Sequence, residues 1–270
     1  MISLDAVTCL FGPAQRQGLC AARQGAGRAR IRDALGTTLA LHDVSFSIGE
    51  GELFVVMGLS GSGKSTLVRL INGLIKPDAG SVAVMGHDVS AMPPKDLATF
   101  RRQRIAMVFQ SFALFPHLSV GANVSFGLKM TGRPRDECAG QAEHWLSRVG
   151  LDGYADANPA DLSGGMRQRV GLARALAVDA PVMLMDEPFS ALDPVTRADL
   201  QALLLDLQAE LARTIVFETH DFAEATRLAT RIAVLDEGTL AQVGTPDEIR
   251  HAPASPYVAR FVASATSSAD

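Results

Sequence analysis

Short runs of apolar residues recur along the chain and predict buried strands. Leu53–Met57 is continuously apolar, as expected for a strand buried on both faces of a sheet. Four further runs share this composition: 105–109, 182–185, 214–217 and 232–235. Leucines at helical spacing within 199–211 predict a helix between two of these strands. Buried strands that alternate with helices favour an α/β fold with a largely parallel sheet.

Alternating apolar positions near the N-terminus predict a second kind of strand. Segments 1–10 and 39–48 carry this pattern, which is typical of antiparallel strands with one buried face. The segment between them, 13–36, is rich in glycine and arginine. Its arginines are Arg16, Arg23, Arg28, Arg30 and Arg32. We interpret the segment as a solvated surface loop or a short helix, and contact with anionic lipid is the alternative.

Residues 117–164 interrupt the alternation of strands and helices. Apolar residues recur at helical spacing up to Val149, and glycines and an Asn-Pro pair follow as stop signals. We predict an inserted helical subdomain in which Trp145 is a packing residue. The expected organisation is one domain over 1–270, with a core in 1–116 and 165–250 that includes the antiparallel strands, the helical subdomain in 117–164, and a C-terminal tail in 251–270.

The composition narrows the possible functions. The 270 residues are 47% hydrophobic, enough for a large core, and a net charge of −4 gives no electrostatic basis for binding nucleic acid. Cys9, Cys20 and Cys138 lack metal-site spacing, which favours reduced thiols of a cytosolic protein over disulfides or zinc. No apolar run approaches the roughly 20 residues that span a bilayer, and no secretory signal is evident. We therefore expect another chain to make any membrane crossing.

A glycine-rich loop between a predicted strand and a predicted helix carries the clearest chemistry. Its nine residues are Gly58, Leu59, Ser60, Gly61, Ser62, Gly63, Lys64, Ser65 and Thr66. Glycines let backbone N–H groups surround phosphate oxygens, and the helix N-terminus adds positive potential. Lys64 is predicted to reach the β- and γ-phosphates of a nucleotide, and Ser65 to ligate Mg²⁺. The full pattern in this context argues against a chance glycine turn.

Two carboxylates follow the apolar run 182–185. Asp186 lies at the carboxyl end of a predicted strand, where open α/β sheets bind ligands, and can hold Mg²⁺ directly or through water. Glu187 can align and polarise the water that attacks the γ-phosphate. The alternative is an acidic helix-start signal, which the phosphate loop makes the weaker interpretation.

Two polar residues after other predicted strands are further candidates. Gln110 follows 105–109, and its amide oxygen can ligate Mg²⁺ or a water molecule. His220 comes soon after 214–217 and can hydrogen-bond a γ-phosphate oxygen or hold Glu187 in position. A purely structural role is the alternative for each residue.

A second glycine turn begins the predicted helix 166–177. Its residues are Leu162, Ser163, Gly164, Gly165 and Met166. Ser163 fits a helix N-cap, but a cap does not require two following glycines, which lower helix propensity. Backbone N–H groups left for an anion explain the glycines better. A chain that hydrolyses a nucleotide alone needs one phosphate cradle, so two cradles suggest that two copies share nucleotides across an interface.

Together these motifs resemble the ATP-binding subunit of ABC transporters, in that family's order and over nearly the whole chain. The resemblance implies a P-loop NTPase core, ATP with Mg²⁺, and two subunits packed head to tail. Ser163 and its glycines would then complete the site formed by Lys64, Asp186 and Glu187 of the other copy. The family stacks an aromatic residue on adenine at the position of Phe11, although the long insertion after it departs from the general pattern. The resemblance also implies a loop beside the catalytic carboxylate, formed by Ser190, Ala191, Leu192 and Asp193.

A finer resemblance is to the glycine betaine, proline and choline importers. It is carried by 57–66, 108–114, 164–174 and the insertion after Gly12. It implies a subunit that couples ATP hydrolysis to uptake of a quaternary amine, with histidine or proline as the alternative cargo. Many members of that branch continue into two regulatory CBS domains, for which this sequence leaves no room, so ionic-strength sensing through such domains is not expected. The exact cargo stays open because its contacts lie on other chains.

The resemblance also implies partners and a location. We expect a homodimer on the cytoplasmic face of the membrane, bound to permease subunits and served by a substrate-binding protein. The segment 111–118 is unusually apolar, and we predict a partly exposed patch that receives a cytoplasmic permease helix; a core hairpin is the alternative. A soluble ABC ATPase acting on nucleic acid or ribosomes is disfavoured by the single phosphate loop. A non-catalytic nucleotide switch is disfavoured by Glu187 and His220.

Overall fold

The computed structural model describes residues 1–266, and these form two compact units. The first unit comprises Met1–Leu97 and the chain from Val216 onward, and the second comprises Ala98–Ile215. The strands are β1 (Ile2–Phe11), β2 (Thr38–Ile48), β3 (Leu53–Met57), β4 (Ala79–Val84), β5 (His87–Asp88), β6 (Ile105–Val108), β7 (Val182–Asp186), β8 (Thr214–Thr219), β9 (Arg231–Asp236) and β10 (Thr239–Gly244).

Helices are present where the sequence predicts them, next to the phosphate loop, within 117–164, over 166–177 and over 199–211, and further helices lie where it made no such prediction. They are α1 (Gln15–Arg23), α2 (Arg28–Leu35), α3 (Lys64–Ile71), α4 (Pro94–Arg104), α5 (Val120–Met130), α6 (Arg135–Arg148), α7 (Gly164–Ala177), α8 (Pro194–Leu211), α9 (Phe222–Leu228), α10 (Pro246–His251) and α11 (Pro256–Thr266). No helix within residues 1–266 is long and apolar enough to cross a membrane.

An antiparallel sheet in the first unit confirms the strands predicted near the N-terminus. Its order is β2-β1-β4-β5. Leu4 of β1 lies opposite Phe46 of β2 and Val82 of β4, and both Leu4 and Val82 are buried. The alternating pattern therefore places one face of this sheet in the core.

The arginine-rich segment folds into two helices, α1 and α2. Ala22 of α1 and Ile31 of α2 are buried in one cluster with Leu10 and Leu39 of the antiparallel sheet. The interpretation as a solvated loop or one short helix was therefore incomplete, because a few apolar side chains find partners on strands distant in sequence. The arginines of this segment are all exposed except Arg28, which is half-buried.

A second sheet in the first unit contains the buried parallel strands. Its order there is β10-β9-β3-β8. Strands β3 and β9 are parallel, with Val55 beside Ile232, and β10 pairs antiparallel with β9. All five residues of β3 are buried, as its uninterrupted apolar run predicts.

The second unit combines a parallel strand pair with a group of helices. In β6 and β7, Ile105 lies beside Val182, and helices α5, α6 and α7 pack on one another. Helices α5 and α6 lie in the segment predicted to be helical. Trp145 of α6 is buried, with the Arg213 guanidinium 5.9 Å from its ring centre. The domain limits expected from the sequence stay a prediction.

The expected C-terminal tail contains a helix. Helix α11 lies inside the expected tail 251–270, of which 267–270 fall outside the described residues.

All three cysteines are free thiols: Cys9 and Cys138 are buried and Cys20 is exposed. Burial, with a smaller contribution from Asp78, raises the pKa of Cys9 to about 12, so its reactive thiolate is scarce at neutral pH.

Candidate functional site

The glycine loop of the first unit connects the end of β3 to the start of α3. Gly58 has φ +152° and Gly63 has φ +105°, which L side chains rarely adopt. A Cβ atom on Gly58 would lie 2.4 Å from the Leu235 carbonyl oxygen, and one on Gly63 would lie 2.7 Å from that of Ala40. Glycine is therefore required at both positions by the fold of the loop itself.

Lys64, the first residue of α3, is 7% exposed and turns back over this loop. Its ammonium nitrogen donates to the carbonyl oxygens of Gly58, at 2.9 Å, and Leu59, at 3.2 Å. Both acceptors are neutral, so they do not compensate the charge of this buried group. The Ser62 hydroxyl oxygen is also buried and has no hydrogen-bond partner in the described structure. A cationic group and an unsatisfied hydroxyl on a glycine-rich helix N-terminus form a donor set that suits phosphate.

Two contacts to the loop were not anticipated from the sequence. Ser65 Oγ donates to Glu218 Oε1 of β8 at 2.7 Å. Arg28 Nη1 of α2 donates to the Gly61 carbonyl oxygen at 2.8 Å. Two features of the sequence could have pointed to these contacts. One is the single charged residue, Glu218, among the apolar residues and threonines of β8, and the other is the arginine-rich segment, which had no assigned role.

Two further candidates of the first unit lie at strand ends. Phe11, the last residue of β1, is 41% exposed, which leaves its ring accessible for stacking. His220 directly follows β8 and is exposed. The roles inferred for these two residues stay predictions.

In the second unit, hydrogen bonds bring three of the predicted site residues together. Gln110 Nε2 donates to Glu187 Oε2 at 3.1 Å and to Ser190 Oγ at 3.3 Å. The Ser190 hydroxyl in turn donates to the Glu187 carbonyl oxygen at 3.0 Å. Glu187 has φ +39°, a strained conformation for a non-glycine residue and one that is common at functional sites. Asp186 precedes it as the last residue of β7 and is half-buried.

The loop after Glu187 leads into α8. Leu192 is buried, whereas Ala191 and Asp193 are exposed. Asp193 is the N-cap of α8, and its carboxylate accepts from the backbone N–H groups of Val195 and Thr196. Hydrogen bonds from Thr196, side chain first and then backbone, hold the pKa of Asp193 below its ordinary value. This loop is therefore well anchored at its carboxyl end.

The second glycine turn is a capped helix start. Ser163 Oγ accepts from the Met166 backbone N–H, so the N-cap interpretation of Ser163 is confirmed. Leu162 is buried beneath the turn. A Cβ atom on Gly165 would lie 2.4 Å from Thr196 Cγ2, whereas one on Gly164 would meet no atom within 4 Å. Packing against α8 thus explains Gly165, which the sequence interpretation had attributed to an anion, and leaves Gly164 unexplained by the fold.

The segment 111–118 forms turns on the surface, and its predicted partial exposure is confirmed. Phe112, Leu114 and Phe115 are each half-buried, and no hairpin is present there. Arg174 of α7 donates to the carbonyl oxygens of Ala113, at 2.7 Å, and Phe112, at 3.0 Å. Burial lowers the pKa of Arg174. The Arg167 guanidinium lies 5.5 Å from the Phe112 ring centre, so two arginines connect this segment to the helix that begins at Gly164.

The predicted residues thus form two groups, one in each unit. The first unit holds the phosphate loop, Phe11 and His220, and the second holds Gln110, Asp186, Glu187 and the capped glycine turn. Their meeting around one nucleotide stays a prediction.

Comparison with known proteins places this combination of fold and glycine loop among the P-loop ATPase cassettes. A family model described as ABC transporter matches residues 41–190. The chain belongs to this family. The glycine betaine/proline betaine transport system ATP-binding protein ProV of Escherichia coli (strain K12) is 49% identical over 252 residues, which cover 93% of this chain and 63% of ProV.

Two further proteins support the assignment. The glycine betaine/carnitine transport ATP-binding protein GbuA of Listeria monocytogenes is 46% identical over 97% of this chain and 66% of GbuA. The chain thus spans slightly less than two thirds of these curated relatives. A solved dimeric structure of the ATP-binding cassette MJ0796, in a post-hydrolysis state with ADP and Pi, superposes with TM-score 0.78 at 32% identity, covering 91% of this chain and 99% of that one.

Proposed function

We propose that this chain is the ATP-binding and ATP-hydrolysing subunit of an ABC importer. The observation that carries the proposal is the buried ammonium of Lys64, held by neutral carbonyls over a strained glycine loop at a helix N-terminus. A buried charge that only neutral groups contact is costly, and a bound polyphosphate would compensate it. The ATP-binding names of the relatives agree with this chemistry.

The residues present fit a nucleotide with Mg²⁺. Lys64 and the backbone N–H groups of the loop would hold the phosphates, and Ser65 and Asp186, with Gln110, are the candidate metal ligands. The metal would neutralise phosphate charge. Glu187 would orient the attacking water and receive its proton, and Gln110 holds that carboxylate at 3.1 Å. His220 would hydrogen-bond a γ-phosphate oxygen or hold Glu187 in position.

The hydrolytic role is tested with Glu187→Gln in the purified protein. We expect retained ATP binding, a rate of hydrolysis lowered about 10²–10⁴-fold, and accumulation of an ATP-bound dimer. Glu210→Gln is the matched control, since Glu210 is another carboxylate of the second unit and is paired with Arg148. Near-normal turnover by Glu187→Gln would remove Glu187 as the catalytic carboxylate.

The assembly we propose is a head-to-tail homodimer in which the turn 162–166 of one copy completes the phosphate site of the other. The dimeric cassette among the solved structures supports this arrangement. The unexplained Gly164 supports it too, because the open space beside it leaves room for another molecule. Within the transporter, the dimer would lie at the cytoplasmic face of the membrane and bind the permease subunits, and a substrate-binding protein would deliver the cargo to those permease subunits.

A groove beside 111–118 is the proposed seat for the permease. The groove has a volume of about 570 Å³ and is open to solvent. Its apolar lining includes Met107, Phe109, Ala113, Phe115, Phe126 and Met130. An amphipathic cytoplasmic helix is the partner that fits such a groove. Arg174 and Arg167 would transmit its docking to the turn at Gly164.

Cysteine cross-linking tests this interface. A cysteine at Ala113, which is exposed and lines the groove, should cross-link to a cytoplasmic permease loop in a Cys20→Ser background that removes the exposed native thiol. A cysteine at Tyr154, which is 42% exposed in the same unit but does not line the groove, is the control. Equal cross-linking at both positions, or none at Ala113 in the assembled transporter, would contradict the assignment.

The cargo we propose is a quaternary amine such as glycine betaine, choline or proline betaine. The support is the agreement between motif resemblance and the names of ProV and GbuA. A quaternary ammonium has no N–H to donate, so we expect the binding protein to hold it in an aromatic cage. Radiolabelled uptake in cells with and without this gene decides the cargo. Loss of histidine or proline uptake with betaine and choline uptake intact would overturn it.

A further inference from the structure

Glu218 is a fully buried carboxylate in a strand built otherwise from apolar residues and threonines. Strand β8 reads Thr214, Ile215, Val216, Phe217, Glu218 and Thr219, and Glu218 has 0% exposure. Burying a carboxylate is unfavourable unless hydrogen bonds or charges compensate it. Valine or isoleucine would suit this position better for packing alone, so the reason for a carboxylate lies in its polar contacts.

Glu218 contacts the phosphate loop. Ser65 Oγ donates its one proton to Glu218 Oε1 at 2.7 Å, and both residues belong to the first unit. A serine hydroxyl has a single proton and two lone pairs. When the proton points to a carboxylate, both lone pairs are left for other partners and the oxygen becomes more electron-rich. A hydroxyl in that state is a better ligand for a hard cation such as Mg²⁺.

We propose that Glu218 is a positioning residue for the divalent cation that accompanies the nucleotide. It fixes the Ser65 hydroxyl with its lone pairs available to the metal and strengthens that ligand. The inference rests on the proposed function, because it assumes that a nucleotide–Mg²⁺ complex binds at Ser65. Residues with this role around metal sites alter metal affinity by about 10–100-fold when they are removed.

The experiment separates metal affinity from nucleotide affinity. ADP binding to the purified full chain is measured by calorimetry in MgCl₂ and again in EDTA, for the original protein, Glu218→Val and Glu218→Gln. We expect Glu218→Val to lose about 10–100-fold of the gain in ADP affinity that Mg²⁺ provides, while the affinity in EDTA stays within a few-fold. Glu218→Gln should lose less, since its amide oxygen can still accept the Ser65 proton.

Two controls identify the route of the effect. If Glu218 acts through Ser65, adding Glu218→Val to Ser65→Ala should cause no further loss of Mg²⁺-dependent affinity. Glu52→Gln removes another largely buried carboxylate of the same unit, one that precedes β3 at the end opposite the loop, and should change neither affinity.

The outcomes separate this inference from the proposed function. An unchanged or increased Mg²⁺-dependent gain in folded Glu218 variants overturns the positioning role. Equal losses in MgCl₂ and EDTA also overturn it, because they indicate a structural residue. If Glu218→Val does not fold, Glu218→Gln and the Ser65 comparison carry the same decision. Failure of the original protein to bind ADP at all overturns the proposed function, and the inference with it.

Discussion

The two glycine turns of this chain differ in the reason for their glycines. Both lead into a helix: α3 begins at Lys64, within the loop 58–66, and α7 begins at Gly164, within the turn 162–166. In the first, Gly58 and Gly63 have positive φ and lie against carbonyl oxygens of neighbouring strands. In the second, helix α7 begins at Gly164, which has no positive φ and an open surrounding, and Ser163 caps that helix.

The difference indicates which turn is complete within one chain. The phosphate loop needs its glycines to fold, whatever binds there. The turn at 162–166 needs Gly165 to pack against Thr196, but nothing in its own fold requires Gly164. Gly164 is therefore unexplained by the chain's own fold, and the proposed contact with a phosphate held by another copy would account for it. The following predictions test that contrast.

The largest expected effect is on ATPase activity in mixed dimers. Lys64→Ala and Ser163→Arg should each lower the activity of their own homodimer by about 100-fold or more, since one removes a phosphate contact and the other fills the partner's site. Mixing the two should restore a measurable fraction, because mixed dimers contain one intact site. The assay is phosphate release by the purified proteins.

The control for this experiment is a mixture that cannot form an intact site. Lys64→Ala with the double variant Lys64→Ala/Ser163→Arg meets that condition and should stay inactive. Full activity of either single variant as a monomer would break the shared-site model.

Replacing a glycine by alanine should lower the free energy of unfolding in the first turn but not in the second. Gly63→Ala should lower the free energy of unfolding by about 1–3 kcal/mol, because alanine is strained at φ +105° and its Cβ meets the Ala40 carbonyl oxygen. Gly164→Ala should leave it unchanged or raise it by up to about 1 kcal/mol while ATPase activity falls. Urea unfolding provides the free energies. A clear loss of stability in Gly164→Ala would show that this glycine serves the fold.

The third prediction separates capping from nucleotide contact at Ser163. Ser163→Ala should cost about 0.5–2 kcal/mol of unfolding free energy through loss of the cap to Met166. Ser163→Asp should keep that stability, since aspartate caps helices as well as serine does, yet lose ATPase activity because its charge repels phosphate. Active Ser163→Asp would assign this residue to capping alone.

The smallest effect on stability is expected from removing the Arg28 side chain, which contacts the phosphate loop from helix α2. Arg28→Ala removes the partly exposed hydrogen bond to the Gly61 carbonyl oxygen and should cost about 0.5–1.5 kcal/mol. ADP affinity should fall only a few-fold. Arg30→Ala, an exposed arginine of the same helix, is the matched control. Equal effects of the two substitutions would mean that α2 does not support the loop.

Local pattern was enough to predict most of the secondary structure. An unbroken apolar run such as Leu53–Met57 has only one compatible environment, a strand buried on both faces, and all five residues are buried. The cap at Ser163 and the presence of a helix next to the glycine loop also follow from neighbouring residues, although α3 begins at Lys64, inside the loop. These features depend on interactions within a few positions, which the sequence displays directly.

The tertiary structure alone decided the contacts between distant residues. Ser65 bonds to Glu218 across 153 positions and Gln110 to Glu187 across 77, and neither pairing has a periodic signal. The helices of 15–35 likewise pack against Leu10 and Leu39, and the arginine-rich composition of this segment does not predict those partners. Such contacts depend on which strands become neighbours and in which register. Only the folded chain determines that, because each contact requires the others to be in place.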